Sequence, residues 1–314
     1  MTQIVALVGP TAVGKSAIAV EVARLLGAEI ISCDSMQIYR GMRVLSQAPT
    51  HAQQAQVPHH LVEFVEPTES FSVADYCGKA APTIERILAR GKGPLLVGGT
   101  GLYLKALAQG LCHAPPADPR IREQLWHECQ GRGSATLHYR LRGIDATAAS
   151  RIHPNDARRI VRALEVYALT GKPLSTWWAQ TNAQPWSQPM VMIGLTRERA
   201  ELYERINQRV VHMIYEEAVI NEVRALLRVP LSQSARHIHG LADLESYLAG
   251  ERSLKETITV WQQRVRHYAR RQLTWFRQTP GIQWLQLAAH EPPWESAERV
   301  RDVLRRSRQP LLAV

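Results

Sequence analysis

GPTAVGKS, Gly9 to Ser16, has the spacing G-x-x-x-x-G-K-S. This is the pattern of a phosphate-binding loop, whose backbone N–H groups converge on one anion at a helix N-terminus. The flanking residues decide whether the pattern is meaningful. Before it, IVAL (Ile4 to Leu7) is a short apolar run rich in β-branched residues, which predicts a buried strand. After it, AIAVEVARLLG is apolar at helical spacing and closes at Gly27. Strand, loop and helix are the order the motif needs. Gly9 and Gly14 allow the turn, and Pro10, Thr11, Ala12 and Val13 span it. Lys15 is placed to neutralise phosphate oxygens and Ser16 to ligate Mg²⁺. On its residues alone, the loop holds a diphosphate or triphosphate and leaves open whether that belongs to a nucleotide.

Further strand candidates follow: AEIISCD ending at Asp34, PLLVGGTG from Pro94, and MVMIGLT from Met190 to Thr196. Helical stretches separate them, so the expected fold is α/β, a P-loop parallel sheet flanked by helices. Ligands of such sheets sit beyond the carboxyl ends of the strands. Gly9–Ser16, Asp34 and Gly98–Thr100 all fall there. From Pro115 to Pro185 helical segments follow one another with no strand between them. We therefore expect an all-helical insertion at 115–185 in a core made of 1–114 and 186–314, with RRSRQPLLAV a loosely held end.

The 314 residues are 45% hydrophobic and 21% charged, as in a globular protein. Four dispersed cysteines form no C-x-x-C pair, which predicts reduced thiols, a cytoplasmic location and no zinc site. No signal peptide is apparent, and no apolar run approaches the ~18 residues of a membrane span. Lys plus Arg is 38 against 28 Asp plus Glu, a net charge of +10 that permits a polyanionic partner. Much of it is patterned. In the helix near Asn155, Ile160, Val161 and Leu164 share one side, and Arg158, Arg159 and Arg162 the other. Asn155 is the expected cap and Gly171 the expected end. In RVRHYARRQLTWFRQ, Val265, Tyr268, Trp275 and Phe276 form an apolar arc, with Arg266, Arg270 and Arg277 elsewhere on the wheel. Either arginine face is compatible with a solvated surface. Together with a P-loop they favour a nucleic acid backbone.

The segments GPTAVGKS, CDSMQIYRGM, QVPHHLVEFVEPTESFSVADY, GGTGLYLKAL, SRIHPNDARRIVRALEVYALTGKP and YARRQLTWFR occur in this order. Together, over about residues 3–285, they resemble bacterial tRNA dimethylallyltransferases. The resemblance implies transfer of a dimethylallyl group from dimethylallyl diphosphate to N6 of the adenosine 3′ of the anticodon. It implies the diphosphate in the P-loop with Lys15, Mg²⁺ on Ser16, and Asp34 as the base. It places Thr100 near the reacting centre and Arg209 facing the diphosphate. The tRNA anticodon stem-loop would be met by Asp34, Ser35, Met36, Gln37, Thr100, Arg122, the run Arg158, Arg159, Ile160, Val161, Arg162, and Arg236. A monomer is expected. Trp177 and Trp178 are candidates for base stacking, against a split between core and surface. His237 and His239 alternate in a loop, too few for a metal site.

Two segments depart from the family. After YRGM the family continues Asp-Ile-Gly-Thr-Ala-Lys, where this chain has Arg43-Val-Leu-Ser-Gln-Ala48. Arg43 is expected to compensate by supplying positive charge near the same loop. After Arg236 the family has a Gly-Tyr-Arg segment, aligned here with His239, Gly240 and Leu241. Two other functions remain open on the sequence: a small-molecule P-loop kinase with Asp34 orienting a hydroxyl acceptor, and a divergent non-catalytic tRNA-binding protein.

Overall fold

Strand β1 (Ile4–Val8) has no polar residue, and all five of its side chains are buried. Successive strand residues point to opposite faces, so both faces of this sheet are covered. Val5 and Leu7 join one core with Ile18, Val22, Ile206 and Val300. Ile4, Ala6 and Val8 join another with Tyr76, Ile84 and Leu104. The computed structural model describes residues 3–112, 114–180 and 190–307. Beside β1 lie β2 (Ala28–Ser32), β3 (His59–His60), β4 (Gly93–Gly98), β5 (Met190–Thr196) and β6 (Ile282–Gln286). They form a six-stranded sheet in the order β3-β2-β4-β1-β5-β6, with every pairing parallel. In register, Ala6 sits beside Leu96 of β4 and Met192 of β5.

This order fixes the location of the site. The chain leaves β1 toward β2 and β4 on one side and later returns to β5 on the other. The strand order reverses beside β1, where parallel sheets hold ligands. The loop following β1 is GPTAVGKS. It opens the helix Lys15–Leu26, which ends at left-handed Gly27.

Two strands have no counterpart in the sequence reading. β3 is only two histidines long and offers no apolar period. β6 is an edge strand in which only Leu285 is buried, so it carries no apolar run. Of the end expected to be loose, RRSRQPLLAV, Arg305 and Arg306 close the helix Pro293–Arg306 and Ser307 is its C-cap. The rest of that expectation, residues 308–314, lies outside the described residues.

The chain divides into two compact units, one of residues 1–107 with 186–314 and one of 108–185. The second begins seven residues before the expected 115. Its described secondary structure is wholly helical, and the end of the expected insertion, 181–185, lies outside the described residues. Its core is built from Leu137, Leu141, Ile160, Val161 and Leu164. The helix Ala157–Thr170 is capped by Asp156, not Asn155. The Asp156 carboxylate accepts from the Arg159 N–H at 3.2 Å, and Gly171 ends the helix as expected.

Candidate functional site

Basic side chains brace the P-loop. Lys15 Nζ donates to the carbonyls of Gly9 and Pro10 at 3.0 and 2.8 Å. Arg197 Nε donates to the Val13 carbonyl and Arg205 Nε to the Ala12 carbonyl, both at 2.9 Å. Buried Arg197 also donates to the Ala288 carbonyl and pairs with Glu201. Arg209 Nη1 donates to Thr11 Oγ1 at 3.1 Å. The side chains of Pro10 and Val13 are buried, so any phosphate contact at these positions is made by backbone. A cavity of about 700 Å³ opens here, lined among others by Lys15, Ser16, Asp34 and Arg209.

The electrostatics of this cavity favour an anion. Burial pulls the Lys15 ammonium down to about 8, with Arg209 adding to the fall and Asp34 opposing it. Arg209 is likewise lowered by burial, to about 10. Desolvated cations without enough negative charge are costly, and a diphosphate would relieve that cost. Burial raises the Asp34 carboxyl above the usual range, against the Met36 N–H and the charges of Lys15 and Arg209. The Met36 N–H donates to Asp34 Oδ1 at 3.0 Å. The Gln37 N–H adds a second backbone hydrogen bond that favours the charged form.

Thr100 supports the Asp34 loop. Its hydroxyl accepts from the Ser35 N–H at 2.9 Å and donates to Ser35 Oγ at 3.2 Å, and Thr100 does not line the cavity. Through Ser35 it positions the loop that carries Asp34. Ser35 is occupied by the same contacts, whereas Met36 and Gln37 do line the cavity. A residue the sequence reading passed over completes the framework. Buried Gln272 accepts from the Thr11 N–H at 2.8 Å and donates to the Gly99 carbonyl at 3.0 Å. It thereby clamps the P-loop to the loop that carries Thr100. Its sequence signal was only its place on the helical face of Tyr268 and Trp275.

The opposite wall of the cavity is apolar. Leu45, Val210, Met213, Ile238 and Trp261 line it and belong to one hydrophobic cluster. The His239 ring packs tilted against Tyr268 with ring centroids 4.2 Å apart, and burial holds the imidazole neutral, down to about 4.

Both departing segments form part of this wall. In the first, Glu222 accepts the N–H groups of Val44 and Leu45, both at 2.8 Å. Arg43 pairs with Glu63 and donates to the Pro49 carbonyl, so its charge is used internally and does not compensate for the missing lysine. In the second, the expected alignment of Gly-Tyr-Arg is shifted by one. Gly240 has φ 97°, and a Cβ there would lie 2.3 Å from the Trp261 ring. Only glycine fits. The family's glycine therefore belongs at 240, with buried Leu241 and exposed Ala242 in the Tyr and Arg places.

In the helical unit, four of the expected RNA contacts are changed by burial or pairing. Ile160 and Val161 are core residues with exposures of 0% and 1%, so their side chains cannot touch RNA. Arg122 and Arg162 both pair with fully buried Glu165, at 2.8 and 2.6 Å, and Arg162 also donates to the Pro115 carbonyl. Arg158 and Arg159 are exposed, the latter 3.4 Å from Asp156. Trp177 and Trp178 are both partly buried against the helical core, with Arg151 over the Trp178 ring. In the other unit, exposed Arg236 lies 3.6 Å from Glu245. The second arginine face is partly committed as well, since Arg264 pairs with Asp243 and Arg266 donates to Asn207.

A phosphate loop, a raised carboxyl and apolar side chains share one cavity, and known proteins match the chain that builds it. The model of the IPP transferase family matches residues 37–279, and that of an isopentenyl transferase family matches residues 2–59. A tRNA dimethylallyltransferase of Geobacter sulfurreducens is 44% identical over 291 residues, 92% of this chain and 93% of the relative. One from Symbiobacterium thermophilum is 43% identical over 307 residues, 96% and 95% of the two chains. Among solved structures, the full-length tRNA isopentenylpyrophosphate transferase of Bacillus halodurans is similar with a TM-score of 0.69 and 39% identity, covering 98% of each chain. A eukaryotic dimethylallyltransferase acting on tRNA, 23% identical, shares the fold with a TM-score of 0.81 over 100% of this chain and 81% of that one. On these matches and this geometry, the chain belongs to the IPP transferase family.

Proposed function

We propose that this protein transfers the dimethylallyl group of dimethylallyl diphosphate to N6 of the adenosine next to the anticodon in tRNA, as a cytoplasmic monomer. The observation that carries the reading is the single cavity in which Lys15, Ser16 and Arg209 lie opposite Leu45, Val210, Met213 and Trp261. Phosphate charge and hydrocarbon are thereby accommodated side by side. A kinase acting on a small hydroxyl acceptor has no use for such an apolar wall. The curated relatives are named tRNA dimethylallyltransferases, which supports tRNA as the acceptor.

Adenine N6 attacks the allylic C1 carbon of the donor. The C1–O bond breaks with its electron pair going to diphosphate, and the N6 proton passes to Asp34. The allylic carbon tolerates positive charge, so the main demand on the protein is to stabilise the leaving anion. Loop N–H groups, Lys15 and Arg209 meet that demand with charges already in place. As the C–N bond forms, the amine becomes acidic, and a carboxylate whose pKa is raised can take the proton.

Mg²⁺ fits the donor set. It favours oxygen ligands, keeps several waters and is commonly held through substrate phosphates. The Ser16 hydroxyl lines the phosphate side of the cavity. Among the described residues no group of three or more His, Cys, Asp and Glu could hold a metal, so the ion would arrive with the diphosphate. Bound between Ser16 and the donor, it would add positive charge against the leaving group.

The target adenine must leave its stack to reach the cavity. Met36 and Gln37 are placed to meet it there, and exposed Arg158 and Arg159 to bind RNA phosphates. The test is mass analysis of tRNA nucleosides after incubation with purified protein, Mg²⁺ and donor. N6-dimethylallyl adenosine is expected. ATP turnover with no prenylated nucleoside would favour the kinase.

A further inference from the structure

The helix Leu254–Arg277 lies along the cavity and lines it at Trp261, Val265, Tyr268 and Gln272. The spacings of four, three and four residues place all four on one stripe. The two ends of the stripe differ in chemistry. Gln272 holds the P-loop through the Thr11 N–H. Trp261 belongs to the apolar cluster, has 1% exposure, and is the first position of this helix to meet the cavity. The two positions are eleven residues apart, or about 16 Å at the helical rise. The stripe therefore runs from the P-loop toward the apolar cluster.

That end is rigid. The Trp261 ring lies against the backbone of Gly240, where a Cβ would come within 2.3 Å of it. The left-handed conformation of Gly240, φ 97°, begins the helix Leu241–Leu248, so ring and helix start are fixed together. Buried Leu241 and Leu244 belong to the same cluster. Leu45, at a place where the family carries glycine, adds a second bulky side chain to the wall.

We infer that Trp261 is the length gauge for the prenyl donor: its indole, seated on Gly240, closes the hydrocarbon end of the cavity and sets how many isoprene units can be accepted. This rests on the proposed prenyl transfer and goes beyond it, because it assigns donor selectivity to a residue remote from the phosphates and the base.

The test is competition between the five-carbon and ten-carbon allylic diphosphates, dimethylallyl and geranyl, read as the ratio of their kcat/KM values on tRNA. Trp261→Leu shortens the side chain at the closed end. The ratio should shift toward the ten-carbon donor by about tenfold or more, the range in which apolar pockets discriminate by size. Trp261→Phe, a smaller change that guards against misfolding, should shift it the same way by less. The Ki of inorganic diphosphate as a competitor of the donor should stay within about twofold, since the P-loop end is untouched. An unchanged ratio in a variant that still uses the five-carbon donor overturns the gauge and leaves the reaction standing. No prenylated adenosine from wild type with either donor overturns the reaction, and the gauge with it.

Discussion

Lys15 and Asp34 share one cavity but respond to burial in opposite ways, and this gives the pH behaviour of the free enzyme. Lys15, lowered to about 8, is positive below that pH and loses its charge as pH rises through it. Asp34, raised by burial, becomes a working base only above the usual carboxylate range. The kcat/KM for donor should therefore be bell-shaped, with its alkaline limb near pH 8. In Lys15→Arg the alkaline limb should move up or vanish, because guanidinium stays charged. A limb that stays near pH 8 in that variant would assign it to another group. Bound diphosphate stabilises the lysine charge, so kcat should show the alkaline limb at higher pH than kcat/KM. Lys15→Ala should lower turnover by roughly 10²–10³, as does loss of an oxyanion donor. Asp34→Asn should lower it by about 10²–10⁴, the usual worth of a positioned base, with little change in donor KM. A normal rate in Asp34→Asn would remove the base role.

At the scale of elements, the arginines of the helix Ala157–Thr170 divide into two kinds. Arg162 is tied to buried Glu165 and to the Pro115 carbonyl, whereas Arg159 is exposed beside Asp156. Arg159→Ala should flatten the plot of log K for tRNA against log salt by about 0.7–0.9 for a lost phosphate contact, leaving stability nearly unchanged. Arg162→Ala should mainly destabilise the helical unit in urea, by about 1–3 kcal/mol, because it leaves part of the Glu165 charge uncompensated. Equal salt slopes and equal urea midpoints for the two variants would erase the distinction. The helix starting at Leu241 makes a second case. Gly240→Ala faces both a positive φ and the Trp261 ring, and should cost at least about 2 kcal/mol by chemical denaturation. The same contact rules out restoring Gly-Tyr-Arg at 239–241. A tyrosine at 240 would strike Trp261, and an arginine at 241 would bury an unpaired charge.

At the scale of the molecule, the P-loop is braced by parts of the chain far apart in sequence. Arg197 and Arg205 hold it from the helix Arg199–Tyr215 and the residues before it, and Gln272 holds it from the helix Leu254–Arg277. A ligand that fills the cavity should then stabilise the whole α/β unit. Dimethylallyl diphosphate with Mg²⁺ at about 100-fold over Kd should raise its stability by about 2.7 kcal/mol, seen as a higher Tm. The shift should shrink sharply in Lys15→Ala. An equal shift in that variant would place the donor outside the P-loop.

Local signals in the sequence determined much of this protein. The glycine spacing of Gly9–Ser16, the continuous apolar runs of β1, β4 and β5, and the arginine face opposite Ile160 and Leu164 depend on a residue's near neighbours, and each was readable. Asp34 and Arg209 came from ordered motifs and family resemblance, and the cavity brings them together with Lys15. Tertiary structure alone decided the rest. β6 could not be read because an edge strand with one buried residue has no apolar pattern. Arg122 and Arg43 looked available for RNA because nothing local reveals Glu165, 43 residues away, or Glu63, 20 residues away. Nothing local reveals that the Thr100 hydroxyl bonds Ser35, 65 residues away. Gln272 and Trp261 were single letters in a long helix. Their roles arise because the fold sets one against the P-loop, 261 residues distant, and the other against the backbone of Gly240. Side-chain charge and shape are written in the sequence, but which groups neutralise or wall in which others depends on chain closure over such separations.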